Sequence, residues 1–268
     1  MEDLPKGLAS SNAGKIARRL SSVSGGRILD VATGGGDFIH TLMKTLRSYD
    51  SFVGIDYCPS TSSRNEMESA KKRFEGKPVR FIEMNAENLK FEDESFDSVC
   101  VSNSLHHLAN IDRVLTEMKR VLKKGGNFML QEVYCDGDQT EAQKADERRH
   151  EWEAEVDSLL GITHNKTLTK QRIIDISNSL KLKELEIFDS THPVDCLFCK
   201  SRYDCEDPRH QTVLDKSIRD IDNIIKRIEN IQDLRTRKRV REEGEKIKEA
   251  IEESGSSPSS YLFIIGKT

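Results

Sequence analysis

A short segment at residues 28–38, ILDVATGGGDF, limits the folds open to this chain more than any other stretch. Ile28, Leu29 and Val31 are typical of a buried parallel strand, and the three glycines after them predict a tight turn into a helix. Glycine suits such a turn because it tolerates positive φ and has no Cβ, so backbone amides can lie against a ligand. The segment therefore predicts a strand, a turn and a helix, with a ligand above the turn.

A second acidic residue follows the next apolar segment. The run Phe52-Val53-Gly54-Ile55 ends on Asp56, twenty residues beyond Gly36. A carboxylate at the tip of an adjacent strand can accept hydrogen bonds from both hydroxyls of a ribose. The two segments together predict a cofactor that carries a nucleoside.

Two classes of cofactor fit this pattern, and the residues favour one of them. A dinucleotide-binding turn has a third glycine three places after the second, and that position is Ile39 here. Asp30, on the incoming strand, would repel a pyrophosphate but attract a ligand with a cationic ammonium and sulfonium. Electrostatics therefore favours S-adenosylmethionine over a nicotinamide or flavin dinucleotide.

Over roughly residues 10–135 the chain resembles the class I S-adenosylmethionine-dependent methyltransferases, especially the group that contains the quinone-biosynthesis C-methyltransferases and many small-molecule methyltransferases. Five segments fall in the order of that family: ILDVATGGGDF at 28–38, VGIDYCPS at 53–60, NAENLKF at 85–91, FDSVCVSNSLHHL at 96–108 and LKKGGNFMLQEV at 122–133. Ala32 stands where the family more often has glycine, and Asn85 where it usually has aspartate. Five segments in register are a specific signal, which any single one would not be.

The resemblance implies a role for each residue of the cofactor site. Asp56 would hold the ribose and Tyr57 would lie on the adenine. Asn85 would accept from the exocyclic amine of the adenine, and the backbone amide of Ala86 would meet the ring. The expected cofactor-binding residues are Asp30, Ala32, Gly34, Gly36, Asp56, Tyr57, Asn85, Ala86 and Asn103.

Predicted strands and helices alternate between residues 28 and 133, which is typical of a parallel sheet with helices on both faces. Strands are expected at 28–32, 52–56, 79–84, 97–102, 127–133 and 182–188, with a final antiparallel strand at 261–265. The fold class is thus α/β, a Rossmann-like seven-stranded mostly parallel sheet with a helical insertion between strands six and seven. Ligands of such sheets bind beyond the carboxyl ends of the strands.

The chain is expected to form one cofactor-binding domain with an insertion. Residues 1–191 and 256–268 would form the methyltransferase domain, and residues 192–255 a Cys-containing and helical insertion. In the resembling family a modest loop joins the last two strands, so this insertion is the main departure. Residues 139–165 are expected to form a substrate lid, because this fold usually builds its lid after the fifth strand.

Two predicted helices leave alternatives open. An amphipathic helix at 10–22 either lies across the cofactor, as in the resembling enzymes, or covers the edge of the sheet. The lid helix either faces the substrate or is a surface helix with its tryptophan packed inward. The substrate-facing candidates are Arg148, Arg149, His150 and Trp152, with His164 and Asn165 as weaker ones.

His106 and His107 follow the fourth strand and are candidates for a catalytic base. Methyl transfer from a sulfonium is an in-line displacement whose barrier falls mainly through alignment and desolvation, so a dedicated base is optional. Paired histidines recur at this place in the resembling family as part of the pocket wall, and that interpretation is preferred. His107 is the better catalytic candidate of the two.

Three cysteines lie close together in the insertion. Cys196 and Cys199 form a Cys-x-x-Cys pair that Cys205 follows, with His192 and His210 on either side. These residues would suit zinc, or an iron–sulfur cluster if only the thiolates ligate. Because a second Cys-x-x-Cys pair is missing, unliganded reduced thiols are the favoured alternative.

The rest of the insertion, residues 211–253, is helical by composition. Its apolar seam consists of Leu214, Ile218, Ile221, Ile225 and Ile228, and continues loosely through Val240, Ile247 and Ile251. Because the flanking strands must pair, two antiparallel helices that turn near 233–237 are expected rather than one rod. The seam predicts a partner surface, either within the chain or in a homodimer.

Charge and hydropathy disfavour two classes of partner. The formal net charge of −4 gives no general attraction to nucleic acid or to anionic lipid. No apolar stretch approaches membrane-spanning length, and residues 1–15 lack the hydrophobic core of a signal peptide. Neither nucleic acid nor a membrane is expected as a partner, and the expected location is the cytoplasm.

The sequence therefore predicts a methyltransferase that moves the methyl group of S-adenosylmethionine onto a small-molecule acceptor. No Asn/Asp-Pro-Pro-aromatic run follows the fourth strand, where Ser102-Asn103-Ser104 stands instead, so adenine or amide nitrogen methylation is disfavoured. The alternative is a protein that binds the cofactor without turning it over and uses the helical insertion as an interaction or assembly module.

Overall fold

A seven-stranded sheet forms the centre of the molecule in the computed structural model, which describes residues 12–190 and 207–268. The strands are β1 Arg27–Val31, β2 Ser51–Asp56, β3 Val79–Glu83, β4 Phe96–Ser102, β5 Leu122–Val133, β6 Lys183–Ser190 and β7 Tyr261–Lys267. The described helices are α1 Asn12–Leu20, α2 Asp37–Thr45, α3 Thr61–Arg73, α4 Ile111–Val121, α5 Glu141–Leu159, α6 Lys170–Ser179, α7 Gln211–Ile228 and α8 Leu234–Ser254.

The strand order of the sheet is β3-β2-β1-β4-β5-β7-β6. β1 to β5 are parallel, and β7 runs antiparallel to both of its neighbours. The chain reverses its direction of strand addition at β1 and β4, which places a crevice above their carboxyl ends. The predicted fold class is confirmed, including the antiparallel last strand.

Helices cover both faces of this sheet. Leu29 and Val31 of β1 belong to one apolar cluster with α4 and α6, whereas Ile28 belongs to another with α1, α2 and α3. Because side chains alternate across a strand, a strand buried on both faces is apolar at nearly every position. Asp30 is therefore an exception within a continuously buried strand.

Polar side chains cap several of the described helices. The hydroxyl of Thr140 accepts from the amide of Gln143 at the start of α5, in a reciprocal capping box. Thr169 caps α6 and Asp233 caps α8 by the same kind of bond. Such caps let a helix start near a polar residue that the sequence alone identifies.

The leading helix α1 lies against β6 and α2. The guanidinium of Arg19 forms an ion pair with Glu186 of β6, and the side-chain amide of Asn12 donates to the carbonyl of Asp189. Ile16 and Leu20 are buried in the cluster beside α2. These contacts favour the alternative in which the helix covers the sheet edge.

The helical part of the insertion is an antiparallel hairpin of α7 and α8, as expected, and it packs on α5. Their shared core contains Trp152 and Val156 of α5, together with Ile221, Ile224, Ile228, Val240, Ile247 and Ile251. The partner surface of the seam thus lies within the chain. Ile224 is buried in this core and the predicted Ile225 is half-buried against it, because an ordinary helix of 3.6 residues per turn drifts away from a strict heptad.

Trp152 is packed inward. Its side chain is 3% exposed, and the indole N–H donates to the carbonyl of Val240 at 2.8 Å. A Cβ added to Gly244 of α8 would lie 2.4 Å from the indole ring. Glycine at this position therefore lets the tryptophan lie against the backbone of α8.

Cys196, Cys199 and Cys205 fall outside the described residues, so the metal site expected from them is neither supported nor opposed by the structure.

Within residues 12–190 and 207–268, every helix is too short or too polar to cross a membrane.

Candidate functional site

Loops at the carboxyl ends of four neighbouring strands are joined by direct contacts. The amide of Gly34, after β1, donates to the carboxylate of Asp56 at the end of β2, at 2.7 Å. The amide of Met84, after β3, donates to the carbonyl of Asp56 at 2.8 Å. The hydroxyl of Ser104, after β4, contacts the carbonyl of Ala32 at 3.3 Å. The expected cofactor residues therefore lie along one edge of the sheet.

Asp30 is buried beneath the glycine turn, with 1% of its surface exposed. The hydroxyl of Thr33 donates to one carboxylate oxygen at 2.6 Å, and the thiol of Cys100 contacts the other at 3.3 Å. The pKa of the Asp30 carboxyl is raised to about 7, mainly by burial and less by the nearby Asp56, while the hydrogen bonds from Thr33 and Cys100 act to lower it. In this conformation Asp30 can influence a ligand through its charge but cannot touch it.

Asp56 accepts two backbone hydrogen bonds, from Gly34 at 2.7 Å and from Tyr57 at 2.8 Å. Burial raises the pKa of its carboxyl, and these two bonds oppose the rise. The side chain of Tyr57, the next residue, is 61% exposed. A large aromatic ring left in solvent beside a carboxylate offers a flat face on which a base can stack.

The glycine turn has a backbone that requires small residues. Ala32, Gly34 and Gly36 all have positive φ, of 53°, 48° and 75°. A Cβ on Gly36 would lie 2.8 Å from the ring of Phe74 in addition to the strained φ. A Cβ on Gly54 of β2 would lie 2.8 Å from the Thr33 hydroxyl, which must approach closely to reach Asp30. The turn and the strand beside it therefore fit together only without those side chains.

The remaining expected cofactor residues occupy loops after β3 and β4. Asn85 is exposed, and its side-chain oxygen accepts from the amide of Glu87 at 2.8 Å, while Ala86 is half-buried beside it. Asn103 is exposed at a φ of 48°, and its side-chain oxygen accepts from Gln131 of β5 at 3.1 Å. Both asparagine oxygens are therefore oriented by neighbouring groups.

Glu132, near the end of β5, organises the loop that follows β4, and sequence analysis did not assign it a role. It is fully buried, and one carboxylate oxygen accepts from the amides of Ser104 and Leu105 at 3.0 and 2.8 Å. The other accepts from Nδ1 of His106 at 2.7 Å. The only signal in the sequence is a Gln-Glu pair inside the apolar strand FMLQEV.

Four histidines gather at this loop, which we call the histidine cluster: His106, His107, His150 and His164. One ring nitrogen of each lies within 4.8 Å of those of the others. His106 and His107 follow β4, His150 lies on α5, and His164 lies in the loop after α5. The sequence gives no spacing that joins these three places, and only the packing of α5 brings them together.

Three imidazoles of the histidine cluster, those of His107, His150 and His164, are hard to protonate. The loss of water around the rings, followed by the influence of His106, lowers the pKa of His107 to about 3, of His150 to about 2 and of His164 to about 4. His107 keeps an exposed edge, although protein surrounds most of its ring. These three rings are therefore neutral at pH 7.

Other expected lid residues contact the protein itself. Arg148 pairs with Glu243 of α8, and Arg149 pairs with Asp146 and Glu153 on its own helix. Asn165 donates from its side chain to the carbonyls of His106 and Leu108, at 3.1 and 3.2 Å. Of the substrate-facing candidates on α5, His150 is the one that reaches the loop after β4.

Comparison with known proteins identifies relatives that match part of the chain. A family model described as a methyltransferase domain matches residues 22–172, more than half of the chain. A ubiquinone/menaquinone biosynthesis C-methyltransferase from Bartonella tribocorum is 36% identical over 106 residues, which cover 40% of each chain. A demethylmenaquinone methyltransferase from Thermotoga maritima is 34% identical over 119 residues, covering 44% of this chain and 48% of the relative. The chain thus spans less than half the length of these relatives.

Solved structures share the fold at low sequence identity. A Bacillus halodurans protein described as a methyltransferase has a TM-score of 0.57 and 19% identity, over 95% of this chain and 97% of that one. The [4+2]-cyclase SpnF has a TM-score of 0.55 and 17% identity, over 96% and 79%. Phosphoethanolamine N-methyltransferase 2 from Haemonchus contortus, solved with S-adenosyl-L-methionine, has a TM-score of 0.52 and 17% identity, over 96% and 52%.

Proposed function

Because the chain belongs to the class I S-adenosylmethionine-dependent methyltransferases, we propose that it binds S-adenosylmethionine at the carboxyl edge of its sheet and methylates a small-molecule acceptor. One observation carries the proposal. Asp56 reaches across to the amide of Gly34, and the exposed Tyr57 follows directly after it. A carboxylate for the ribose and a ring for the adenine are therefore adjacent to the glycine turn.

Each expected residue has a proposed part in binding. The ribose hydroxyls donate to Asp56, the adenine stacks on Tyr57, and Asn85 and the amide of Ala86 meet the adenine edge. The turn leaves room for the methionine part of the cofactor to lie over it, because its residues Ala32, Gly34 and Gly36 are small. Asn103 borders the transferred methyl group. Asp30 acts at a distance, because its buried negative charge attracts the sulfonium and ammonium.

The transfer itself is an in-line displacement. The acceptor nucleophile forms a bond to the methyl carbon, the carbon–sulfur bond breaks, and its electron pair stays on sulfur as a thioether. The acceptor loses a proton during the reaction. We assign that proton to His107, whose ring is neutral at pH 7 and stands at the end of β4. Its low pKa makes it a weak base, so alignment of the two substrates supplies most of the rate.

The small-molecule class of the acceptor is proposed from the relatives, which are named for quinone biosynthesis. Their match covers less than half of either chain, so the quinone itself is not carried over. The space next to the histidine cluster, under the lid of residues 139–165, is where we place the acceptor. The loop after β4 and α5 would then select it.

A second candidate function is cofactor binding without methyl transfer, with α7 and α8 as an assembly module. The fold permits it, since one structural neighbour is a [4+2]-cyclase. A homodimer through this hairpin would have to use its exposed faces, because its buried face packs on α5. Family membership favours the methyltransferase.

The experiment is to measure S-adenosylhomocysteine formation by the full chain across a panel of hydroxylated aromatic and amine acceptors. We expect turnover with at least one acceptor, and a fall of about 10²-fold in turnover for His107→Ala at nearly unchanged cofactor affinity. The exposed residue Asp112 offers a matched control, and Asp112→Asn should behave like the wild type.

Tight binding of S-adenosylmethionine with no product from any acceptor would favour the assembly module. Loss of cofactor binding in His107→Ala would instead identify this histidine as a structural residue.

A further inference from the structure

We propose that the histidine cluster is a binding site for one divalent transition-metal ion, with zinc as the first candidate, held by ring nitrogens of His106, His150 and His164, the three rings whose Nδ1 atoms contact oxygen atoms. Imidazole nitrogen is a ligand that zinc, iron, nickel and copper share. The proposed ligands include none of the cysteines of the insertion, and the proposal does not depend on the proposed methyl transfer.

One nitrogen–nitrogen distance in the cluster matches that around a single ion, and separations of up to 4.8 Å must shorten when an ion binds. The ligating atoms of all four rings lie within 4.8 Å of one another. A tetrahedral zinc ion, with bonds of about 2.0–2.1 Å to nitrogen, holds its ligand atoms about 3.3–3.4 Å apart. Nε2 of His164 lies 3.3 Å from Nε2 of His150, the separation that such an ion needs.

Oxygen atoms hold the outer nitrogens of three of these rings. Nδ1 of His106 donates to Glu132 at 2.7 Å, and Nδ1 of His164 donates to Asp157 at 2.7 Å. Nδ1 of His150 contacts the hydroxyl of Thr167 at 3.2 Å. Histidines that ligate a metal almost always have such a partner, because it fixes the ring and leaves Nε2 as the ligating nitrogen. Two of these partners are carboxylates, which ordinary histidines on a protein surface would not need.

One combination of tautomers leaves room for a cation between two of the rings. A neutral imidazole with a proton on Nδ1 carries a lone pair on Nε2. If His150 and His164 both donate from Nδ1, two lone pairs face each other at 3.3 Å. Such a contact is repulsive unless a cation lies between the two atoms. In the competing arrangement Thr167 donates to His150, and an N–H of His150 then points at His164.

The site would connect three parts of the molecule. His106 and His107 belong to the loop after β4, His150 to α5, and His164 to the loop after α5. Asp157 also forms an ion pair with Arg227 of α7. The helical hairpin therefore contacts the carboxylate that accepts from His164. A bound ion would therefore fix the lid against the loop that borders the proposed acceptor space. His107 is not assigned as a ligand, so its lone pair stays available for the proton of the acceptor.

The test uses the full chain without a histidine tag, stripped with a chelator, reloaded with Zn²⁺ or Co²⁺ and dialysed before metal analysis. We expect one ion per chain, and a Co²⁺ spectrum without thiolate charge-transfer absorption. His150→Ala and His164→Ala should lose the ion. Asp157→Asn, which keeps the side-chain volume, should bind it about 10- to 100-fold more weakly. His40→Ala, outside the cluster, is the matched control.

A variant in which serine replaces Cys196, Cys199 and Cys205 separates this site from a cysteine site. The proposal requires this variant to keep the ion. It is overturned if the reloaded wild-type protein holds less than a tenth of an equivalent. It is equally overturned if the ion disappears with the cysteines and remains in folded His150→Ala and His164→Ala variants. Far-ultraviolet circular dichroism and S-adenosylhomocysteine binding show whether each variant is folded. The metal content of a variant can therefore be interpreted without a measurement of methyl transfer.

Discussion

At the scale of single residues, Asp30 is the most informative position. A carboxylate in the middle of a buried strand destabilises the free protein when it ionises, and this raises its pKa to about 7. A cationic ligand above it would favour the ionised form and lower that pKa again. The destabilisation of the free protein and the affinity for a sulfonium therefore have the same physical origin.

The sign of the pH dependence follows from the raised pKa. Between the unfolded value of 3.8 and about 7 the folded protein holds more protons at Asp30, so this group makes stability fall as pH rises through that window. Affinity for S-adenosylmethionine should change the other way and increase up to about pH 7, because binding needs the carboxylate.

Asp30→Asn tests both effects. Since asparagine never ionises, we expect the ligand-free variant to be more stable than the wild type at pH 8, by at most about 4 kcal/mol. Its affinity for S-adenosylmethionine should be roughly tenfold lower there and nearly independent of pH. Thermal unfolding and calorimetry from pH 5 to 8 measure the two quantities, with Asp112→Asn as control. Equal pH dependence of affinity in variant and wild type would remove Asp30 from cofactor recognition.

The sequence could predict the residues of the crevice but not the histidine cluster. Asp56 and Tyr57 directly follow a strand, so their place at the edge of the sheet follows from local pattern. His107, His150 and His164 come from separate segments, and their meeting depends on how α5 packs. Glu132 was missed for the same reason, because its hydrogen-bond partners lie on another strand's loop.

At the scale of elements, the contact between α5 and α8 sets the position of α5. Trp152 lies against α8 at the only position where that helix has a glycine, Gly244. Glycine is unfavourable inside a helix by about 1 kcal/mol relative to alanine, so its presence here reflects the close approach. The orientation of α5 in turn sets the position of His150.

Gly244→Ala should therefore destabilise the protein although alanine is the better helix former. We expect a loss of about 1–3 kcal/mol, because the new Cβ would lie 2.4 Å from the indole. Chemical denaturation followed by tryptophan fluorescence measures it directly at the affected residue. Glu245→Ala, at the exposed neighbouring position, is the control and should be neutral or slightly stabilising. A stabilised Gly244→Ala variant would mean that the two helices do not approach so closely.

The sequence predicted that α7 and α8 form a hairpin but not where the hairpin docks. Their length, charges and the need for β6 and β7 to pair are local facts. The surface that covers their apolar face depends on α5, whose own apolar stripe is short and surrounded by charges. Ile224 is buried more deeply than Ile225, and this difference likewise depends on the angle between the packed helices.

At the scale of the whole molecule, the proposed cofactor site lies at the carboxyl edge of the sheet, and α5 with the helical hairpin packs beside the loop after β4. The family model covers residues 22–172, which contain the edge, α5 and the histidine cluster. The hairpin lies outside that match and is joined to α5 by the Trp152 core and to Asp157 by Arg227.

The most direct test of the central claim is calorimetric titration of the full chain at pH 8 with S-adenosylhomocysteine, S-adenosylmethionine and NAD. We predict that both sulfur-containing ligands bind and that NAD does not. Asp56→Asn should weaken S-adenosylmethionine binding by about 10- to 100-fold, since a charged acceptor of two ribose hydrogen bonds is lost. Uptake of NAD with no response to either sulfur-containing ligand would contradict the account, together with the roles assigned to Asp30 and Asp56.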